Sequence, residues 1–585
     1  MSEGDYHNVE EINCEQEGIF PASPQFNPVI KERIKHIKFD RLRLKTKYFT
    51  KEYDSKLRLL SVEPFFIDVR LSIIPEDAVF MESYTLRTGA RVNIYLDAKG
   101  THYIYTILIP EMNMKFNELF AMHTLVDMFK ETGDLYDNYV QRWYQDYGIL
   151  EHLLFDDNIL EINVNPPAYK TSFRIVHAKY QECTSNIYAS DDLLNYLATR
   201  LKVSTGRPLN KAQPQIDGEI EIGDVKARVA GIIPPFSIFG TGYSIRKHRE
   251  HPWTQLLMIQ NKAVSPMFSG FMNLIISHGR SFLTAGPRGS GKTSLLGSLI
   301  LEILQKYRIL TIEDTQELPI YEYKELGYDI LPFKVRSALM EGGMEMPFDK
   351  GLRTSLRLGD SALIIGEVRS VEAKVLYEAM RVGAMSNVVA GTIHADTPYG
   401  VYDRVVNDLG VPKGSFKATD VIIIQNLIKD PSALVRKRRV VQVTEVLKEW
   451  EDKPEFQDLF IYNPQTDMLE PTEILLKGKS VTLKNILTRT DYKSYDDILR
   501  DIMLRTWAKS LHLSFAKDKT DMLEASFVSD ANNLFMKLLK ELNPLQSPER
   551  ETEFKRRFEE ELRDLLNIEE KNETTGQGAE SDNES

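Results

Sequence analysis

Cysteine is almost absent: Cys14 and Cys183 are the only two in 585 residues. Two thiols cannot make a disulfide framework or, alone, a Cys-rich zinc site, so a reducing, cytoplasmic setting is expected. Long apolar runs are missing too. Nothing approaches 18 uninterrupted apolar residues, and the most apolar stretches, Phe271–Ser277 and Ala362–Gly366, are strand- or helix-sized. The first 18 residues are acidic and polar, with no basic start leading into an apolar stretch. Neither a membrane span nor a standard export signal is expected, although association with a membrane through a partner stays open. Positive charge is not in excess: 73 Lys and Arg face 85 Asp and Glu, a net charge of −12. That argues against coating nucleic acid through overall charge, while leaving room for a local basic groove.

With 42% apolar and 27% charged residues, the chain can bury several cores, and its length suggests about four domains or subdomains. Residues 1–60 are a polar lead ending in a basic stretch, Lys31 to Lys47, with eight Lys or Arg against two acids. An amphipathic solvated segment is the simpler reading of it, ahead of an acidic-lipid or partner-docking patch. Residues 61–136 alternate turn signals with short β-rich runs, a small α+β unit with a hairpin turn at Asp97–Gly100. Residues 137–250 are mixed, with a helix ending at Gly206 and strands around 219–222 and 226–233. Residues 255–430 alternate helical patterns with apolar runs, the rhythm of a largely parallel sheet. A β-rich extension spans 431–490. Residues 491–568 are helical, with Phe554, Phe558, Leu562, Leu565 and Leu566 on one face. Residues 569–585, with six acids and one lysine, read as a disordered tail. No internal repeat is evident.

The decisive motif runs Gly286, Pro287, Arg288, Gly289, Ser290, Gly291, Lys292, Thr293, then Ser294. It fits GxxxxGK[ST], with a β-run before it and an apolar helix, expected to reach Tyr307, after it. Glycines let the loop curl so that backbone N–H groups and the helix N-terminus face phosphate oxygens. Lys292 is then expected to contact the β- and γ-phosphates of ATP, and Thr293 to ligate Mg²⁺. Three further apolar runs end in polar groups: Glu313 and Asp314, Glu367 with Arg369, and Thr392 with His394. Glu313 lies 21 residues after Lys292, one helix and one strand later, so these two strand ends can lie side by side. In open α/β sheets the site sits at the carboxyl ends of the strands. His36, His177 and His248 lack partners at ligand spacing and read as structural. The 53 Tyr and Phe are core and interface residues, and the acids at 217–224 form a hairpin rather than a calcium loop.

Together these motifs resemble the secretion ATPase superfamily of type II and type IV secretion and type IV pilus systems, in particular its archaeal branch, which includes the archaellum motor. The Walker A motif matches Gly286–Thr293, the Asp box Thr311–Leu318, and the atypical Gly-Glu Walker B Leu363–Arg369. The His box matches in its second half, Gly391–Asp396, whereas its first part, a Gly-His pair in many members, is Gly383-Ala-Met here. The phrases at Ile159–Pro167, Gly206–Ile220, Ala227–Val229 and Ser244–Lys247 resemble the family's N-terminal domain.

The resemblance implies an α/β fold: a RecA-like P-loop motor domain, a mixed α+β (PAS-like) N-terminal domain and a helical C-terminal extension. It implies an ATPase in which Glu313 polarises the attacking water, Glu367 holds Mg²⁺ and His394 senses the γ-phosphate beside Thr392. Arginines from the N-terminal domain, with Arg207, Arg228 and Arg246 as candidates, would complete the site. It implies a homo-hexamer at the inner face of the cytoplasmic membrane, a polytopic membrane platform, pilin-like subunits reached indirectly, and no direct contact with nucleic acid. Assembly of a pilus-like filament or protein secretion is the favoured role. An archaellum motor, a conjugative DNA-transfer ATPase, and a nucleotide-binding regulatory scaffold without turnover remain the alternatives.

Overall fold

The structure is a computed structural model. It describes residues 51–54, 59–62, 67–70, 74–75, 77–110, 142, 147–248, 251–313, 316–335, 362–369, 372–382, 388–429, 436–516 and 519–568. The Lys31–Lys47 stretch, His36, Asp314, Gly383-Ala-Met and the 569–585 tail lie outside these residues. The chain falls into two compact units, Met1–Glu250 and His251–Ser585.

The first unit is built on one sheet of twelve strands. They are β1 (Lys51–Asp54), β2 (Leu59–Val62), β3 (Ile67–Arg70), β4 (Val79–Thr85), β5 (Arg91–Leu96), β6 (Tyr103–Leu108), β7 (Ile159–Val164), β8 (Ser172–His177), β9 (Gln181–Ala189), β10 (Gln215–Ile222), β11 (Val225–Ile232) and β12 (Gly242–Lys247). Two helices accompany them, α1 (Ile149–Leu154) and α2 (Asp191–Thr205). The expected division at 136/137 is not a break in this sheet. One edge of the nine-residue β9 is shared by β6, parallel from Tyr103↔Cys183, and β3, antiparallel from Ile67↔Ala189. A strand that long leaves N–H and C=O groups that no single short neighbour can satisfy, so both pieces pair with it. The hairpin turn at Asp97 is present: Gly100 N–H donates to the Asp97 carbonyl at 2.8 Å. Helix α2 is capped by Ser190 and ends at Gly206 in the left-handed conformation, φ 64°, which a glycine adopts without strain. His177 is buried and accepts the amides of Lys179 and Tyr180 on Nδ1, a structural histidine as expected.

The second unit carries β13 (Phe282–Ala285), β14 (Ile309–Glu313), β15 (Ile330–Lys334), β16 (Ala362–Val368), β17 (Val389–Ile393), β18 (Val421–Lys429), β19 (Arg436–Val446), β20 (Phe456–Asn463) and β21 (Met468–Pro471). Their order is β15-β14-β16-β17-β13-β18-β19-β20-β21. The first six are parallel, and the last three extend the same sheet antiparallel. The apolar runs of 282–285, 309–312, 362–365 and 389–393 are buried throughout, as a parallel sheet covered on both faces requires. The ends of β13 and β14 do not lie side by side, contrary to the spacing argument, because β16 and β17 enter between them. Chain adjacency does not fix sheet order when each crossover is a helix long enough to skip strands.

The helices that matter here are α3 (Gln255–Gln260), α4 (Pro266–Ser277), α5 (Lys292–Ile300), α6 (Glu372–Val382), α7 (Tyr495–Phe515), α8 (Ala525–Leu542) and α9 (Pro548–Leu565). The helix after the phosphate loop, expected to run to Tyr307, stops at Ile300. Beyond it Glu302 and Ile303 donate to Leu299 and Ile300 in tighter i−3 turns, and the Glu302 carboxylate turns into the core to meet Lys509 of α7. The helices α7–α9 are not an appendage. Their buried residues, among them Ile498, Leu504, Phe535, Phe554, Phe558 and Leu562, join one apolar cluster with α3–α5 and with β13, β14 and β20.

Candidate nucleotide site

The phosphate loop joins β13 to α5. At Gly286 a Cβ would run into the backbone carbonyl of Gln425 on β18, so only glycine lets the start of the loop lie this close to that strand. Gly289 and Gly291 have φ of +79° and +97°, which curls the loop at little steric cost. Pro287's carbonyl accepts both the Ser290 N–H, at 3.3 Å, and the Lys292 ammonium, at 3.1 Å. The Ser290 hydroxyl is fully buried and has no hydrogen-bond partner. A buried orphan hydroxyl within a glycine-lined loop suits an anionic oxygen ligand.

Because β17 lies between β13 and β16, its end carries His394 between the phosphate-loop lysine and Glu367. Lys292 Nζ sits 3.2 Å from His394 Nδ1. On the other side of the ring, Nε2 is 3.0 Å from Glu367 Oε1, and Arg369 donates to Glu367 Oε2 at 2.5 Å. Four predicted residues thus form one chain, Lys292–His394–Glu367–Arg369. Burial pushes the Glu367 carboxyl up, but the bond and charge of Arg369, with His394 and Lys292, outweigh it and leave the carboxyl below its ordinary value. Burial and the adjacent Lys292 charge lower His394, with Glu367 opposing them. A neutral ring accepting from Lys292 on Nδ1 and donating from Nε2 to Glu367 satisfies both contacts.

Glu313 is 5% exposed at the end of β14, and its Oε1 accepts the amides of Glu317 and Leu318, at 3.0 and 3.2 Å. Its side chain lies over Gly366: a Cβ on that glycine would stand 2.8 Å from Glu313 Cγ and 3.2 Å from Oε1. This accounts physically for glycine preceding Glu367, since Glu313 fills the space an aspartate would take. Thr392 is buried on β17 and donates to the Gly366 carbonyl, fixing the turn that presents Glu367. Thr293 donates to Glu317 Oε2 at 2.8 Å. Among the described residues no group of three His, Cys, Asp or Glu side chains is arranged to hold a metal. A Mg²⁺ that keeps waters and binds phosphates needs only a hydroxyl and one or two carboxylates, and Thr293 with Glu317 and Glu367 fits that donor set.

Arg207, Arg228 and Arg246 belong to the first unit. Arg207 donates to the Asp217 carbonyl at 2.9 Å, Arg228 lies 3.7 Å from the Asp217 carboxylate, and Arg246 lies 3.3 Å from Glu161. Arg228 and Arg246 are also directly opposite each other across β11 and β12. The sequence reading did not single out Glu317, Gln425 or Arg438. Glu317 lies within the Asp-box match and could have been read there. Nothing in the sequence signals that Gln425 and Arg438 reach the loop.

The family described as Type II/IV secretion system protein matches residues 162–457, half of the chain. A putative conjugal transfer protein of Mycobacterium tuberculosis is 29% identical over 262 residues, covering 44% of this chain and 71% of that one. An uncharacterized protein of Methanocaldococcus jannaschii is 25% identical over 413 residues, covering 63% of this chain and 55% of that one. Among solved structures, the Legionella pneumophila ATPase DotB superposes with a TM-score of 0.39 at 16% identity, covering 60% of this chain and 90% of that one. No helix among the described residues is long and apolar enough to cross a membrane. With its family matched from β7 through β12 of the first unit and across the phosphate-loop domain of the second, the chain belongs to the Type II/IV secretion system protein family.

Proposed function

We propose that the chain hydrolyses ATP and couples turnover to assembly of a pilus-like filament or to protein secretion. It would act as a homo-hexamer on a polytopic membrane platform at the inner face of the cytoplasmic membrane, meeting pilin-like subunits indirectly. The first unit would serve as its PAS-like partner domain. The observation that carries the reading is the chain Lys292–His394–Glu367–Arg369 at the mouth of a glycine-lined phosphate loop. A lysine that opens the helix after β13, a histidine just past β17 and a carboxylate near the end of β16 converge where phosphate chemistry needs them.

Lys292 and the loop amides bind the phosphates, with the Ser290 hydroxyl gaining a partner there. Thr293 and Glu367, with Glu317 beside Thr293, would hold Mg²⁺, which neutralises charge on the β- and γ-phosphate oxygens when bound. Glu313 polarises the attacking water and takes its proton. His394, already within reach of Lys292 and Glu367, senses the γ-phosphate. Arg207, Arg228 and Arg246 are candidate transition-state cations. In the first unit Arg228 and Arg246 are already met by the carboxylates of Asp217 and Glu161.

A conjugative DNA-transfer role, carried by the name of the M. tuberculosis relative, is the second reading, and the net charge of −12 weighs against direct threading of DNA. A scaffold without turnover would not need Lys292, Glu313 and Glu367 together. Steady-state phosphate release decides between enzyme and scaffold: Lys292→Ala and Glu313→Gln should each abolish it. Wild-type rates in Glu313→Gln would remove Glu313 from water activation, and no turnover in the wild type would leave the scaffold. Electron microscopy of cells carrying Lys292→Ala then tests the role. Loss of thin filaments with swimming intact supports the pilus reading, and loss of swimming alone points to an archaellum motor.

A further inference from the structure

A phosphate loop works only if its peptide planes are held with N–H groups inward and carbonyls outward. At Gly289 a Cβ would meet nothing within 4 Å, so the glycine serves the backbone angle and packing does not pin the adjacent peptide. Two hydrogen bonds hold that peptide: Arg438 Nε donates to the Gly289 carbonyl at 3.0 Å, and the Ser290 N–H donates to the Pro287 carbonyl at 3.3 Å. Because the peptide is planar and trans, the Ser290 N–H points opposite to that carbonyl. It points towards the Pro287 carbonyl, where the Lys292 ammonium also ends.

The β18–β19 hairpin delivers Arg438 to this position. Strand β18 runs parallel to β13 up to Ala285↔Ile424, and its register with β19 then slips between Ile424 and Gln425. Past the slip, the Gln425 backbone closes against Gly286, and its side-chain nitrogen lies 3.1 Å from where a Gly291 Cβ would be. Arg438 sits opposite Leu427 in the ladder, with its Cδ 3.3 Å from the same Gly291 position. Its neighbours Lys437 and Arg439 both pair with Asp467, at 3.3 and 2.8 Å. The cationic run 436–439 therefore splits, with Arg438 alone among these three meeting the loop.

We propose that Arg438 is a positioning residue of the nucleotide site: by holding the Gly289 carbonyl outward it keeps the loop curled around the bound phosphate, and the β18–β19 hairpin forms the outer wall of the loop. The inference rests on the nucleotide reading above. It differs from direct phosphate contact, because a residue acting through the loop affects every nucleotide that the loop cradles.

The test measures ADP and ATP affinity with Mg²⁺ by calorimetry, together with KM and kcat, for wild type, Arg438→Met, Arg438→Lys and the control Lys437→Met. Arg438→Met should weaken ADP and ATP alike by about tenfold, the scale of one hydrogen bond to a charged donor. KM should rise by the same factor with kcat nearly unchanged. Arg438→Lys, which keeps a cationic donor, should recover part of the loss, and a wild-type thermal midpoint shows that the fold is intact. Unchanged affinities in Arg438→Met overturn the inference. So does a loss confined to ATP, which would put the guanidinium on the γ-phosphate itself. Absence of binding in wild type and Lys437→Met alike would refute the nucleotide reading and the Arg438 role with it.

Discussion

The helical region after residue 491 carries no recognisable motif, yet an ion pair inside the core ties it to the phosphate-loop helix. Glu302, two residues beyond α5, has a side chain with no solvent exposure. Its two oxygens take Lys509 Nζ at 2.8 and 2.9 Å, and Asn273 of α4 donates to Oε2. Lys509 in turn donates to Asn532 of α8. Replacing Lys509 by Met leaves a buried carboxylate with one neutral donor, a loss of about 3–5 kcal/mol. An adjoining cavity of about 30 Å³, lined by Asn273, Arg505, Lys509 and His512, is roomy enough for water to hydrate the orphaned charge, which favours the lower figure. At roughly 2 cal/mol/K per residue of unfolding entropy, about 3 kcal/mol in a unit of this size lowers the midpoint by about 4 °C. Thermal unfolding of the full chain, followed by circular dichroism, reads this directly. Glu302→Gln combined with Lys509→Met should recover more than half of the loss, because no charge is then left unpaired. A Lys509→Met midpoint within about 1 °C of wild type, or a double variant no better than the single one, would refute the assignment.

Two further outcomes follow from neighbouring contacts. Gly366→Ala puts a methyl group 2.8 Å from Glu313 Cγ, an overpacking that costs about 1–3 kcal/mol. Because the yielding atoms belong to Glu313, kcat should fall well before the thermal midpoint does, and an unchanged kcat would take Glu313 out of the chemistry. Burial holds His278 and His512 down to about 4 each, against about 6.5 when unfolded. His278 faces Arg505, Asp501, Arg280 and Tyr492, while His512 faces Lys509 and the Met522 carbonyl. The unfolded chain binds these protons first, so stability is intact above about pH 6.5 and declines towards pH 4, by about 2 kcal/mol per histidine at pH 5. Urea titrations across this range should show a shallower decline in a His278→Gln, His512→Gln double variant. An identical pH slope would assign the loss to other groups.

Much of the phosphate-loop site was legible because its chemistry is local. A curled loop needs glycines at fixed spacing, and a helix must follow it at once, so eight consecutive residues carry the signal. The polar endings of the apolar runs were legible for a related reason: a charged group at the end of a buried strand stands out against what precedes it. Strand order was not legible. The spacing of Lys292 and Glu313 suggested adjacent strands, whereas β16 and β17 intervene, and that intervention is what sets His394 between Lys292 and Glu367. The division at 136/137 failed similarly, since it rested on a change of local pattern while β9 gathers strands from both sides of it.

Arg438 shows where sequence reading ends. In RKRR at 436–439 all four residues are cations, and nothing in the composition separates them. The structure distinguishes three of them by alternation along β19: Lys437 and Arg439 share Asp467 on one side, while Arg438 meets the phosphate loop on the other. The acid that decides this, Asp467, is about thirty residues further along the chain, and the loop that receives Arg438 is about 150 residues before it. Such information exists only once β18 has paired with β13 and slipped its register at Gln425. Loop glycines therefore mark a candidate phosphate site, while part of what holds their peptides in orientation comes from the neighbouring hairpin. A swap of residues 425–439 for an unrelated hairpin of equal length should leave the motif intact and nucleotide affinity lost, with the Gly289 carbonyl deprived of the Arg438 donor.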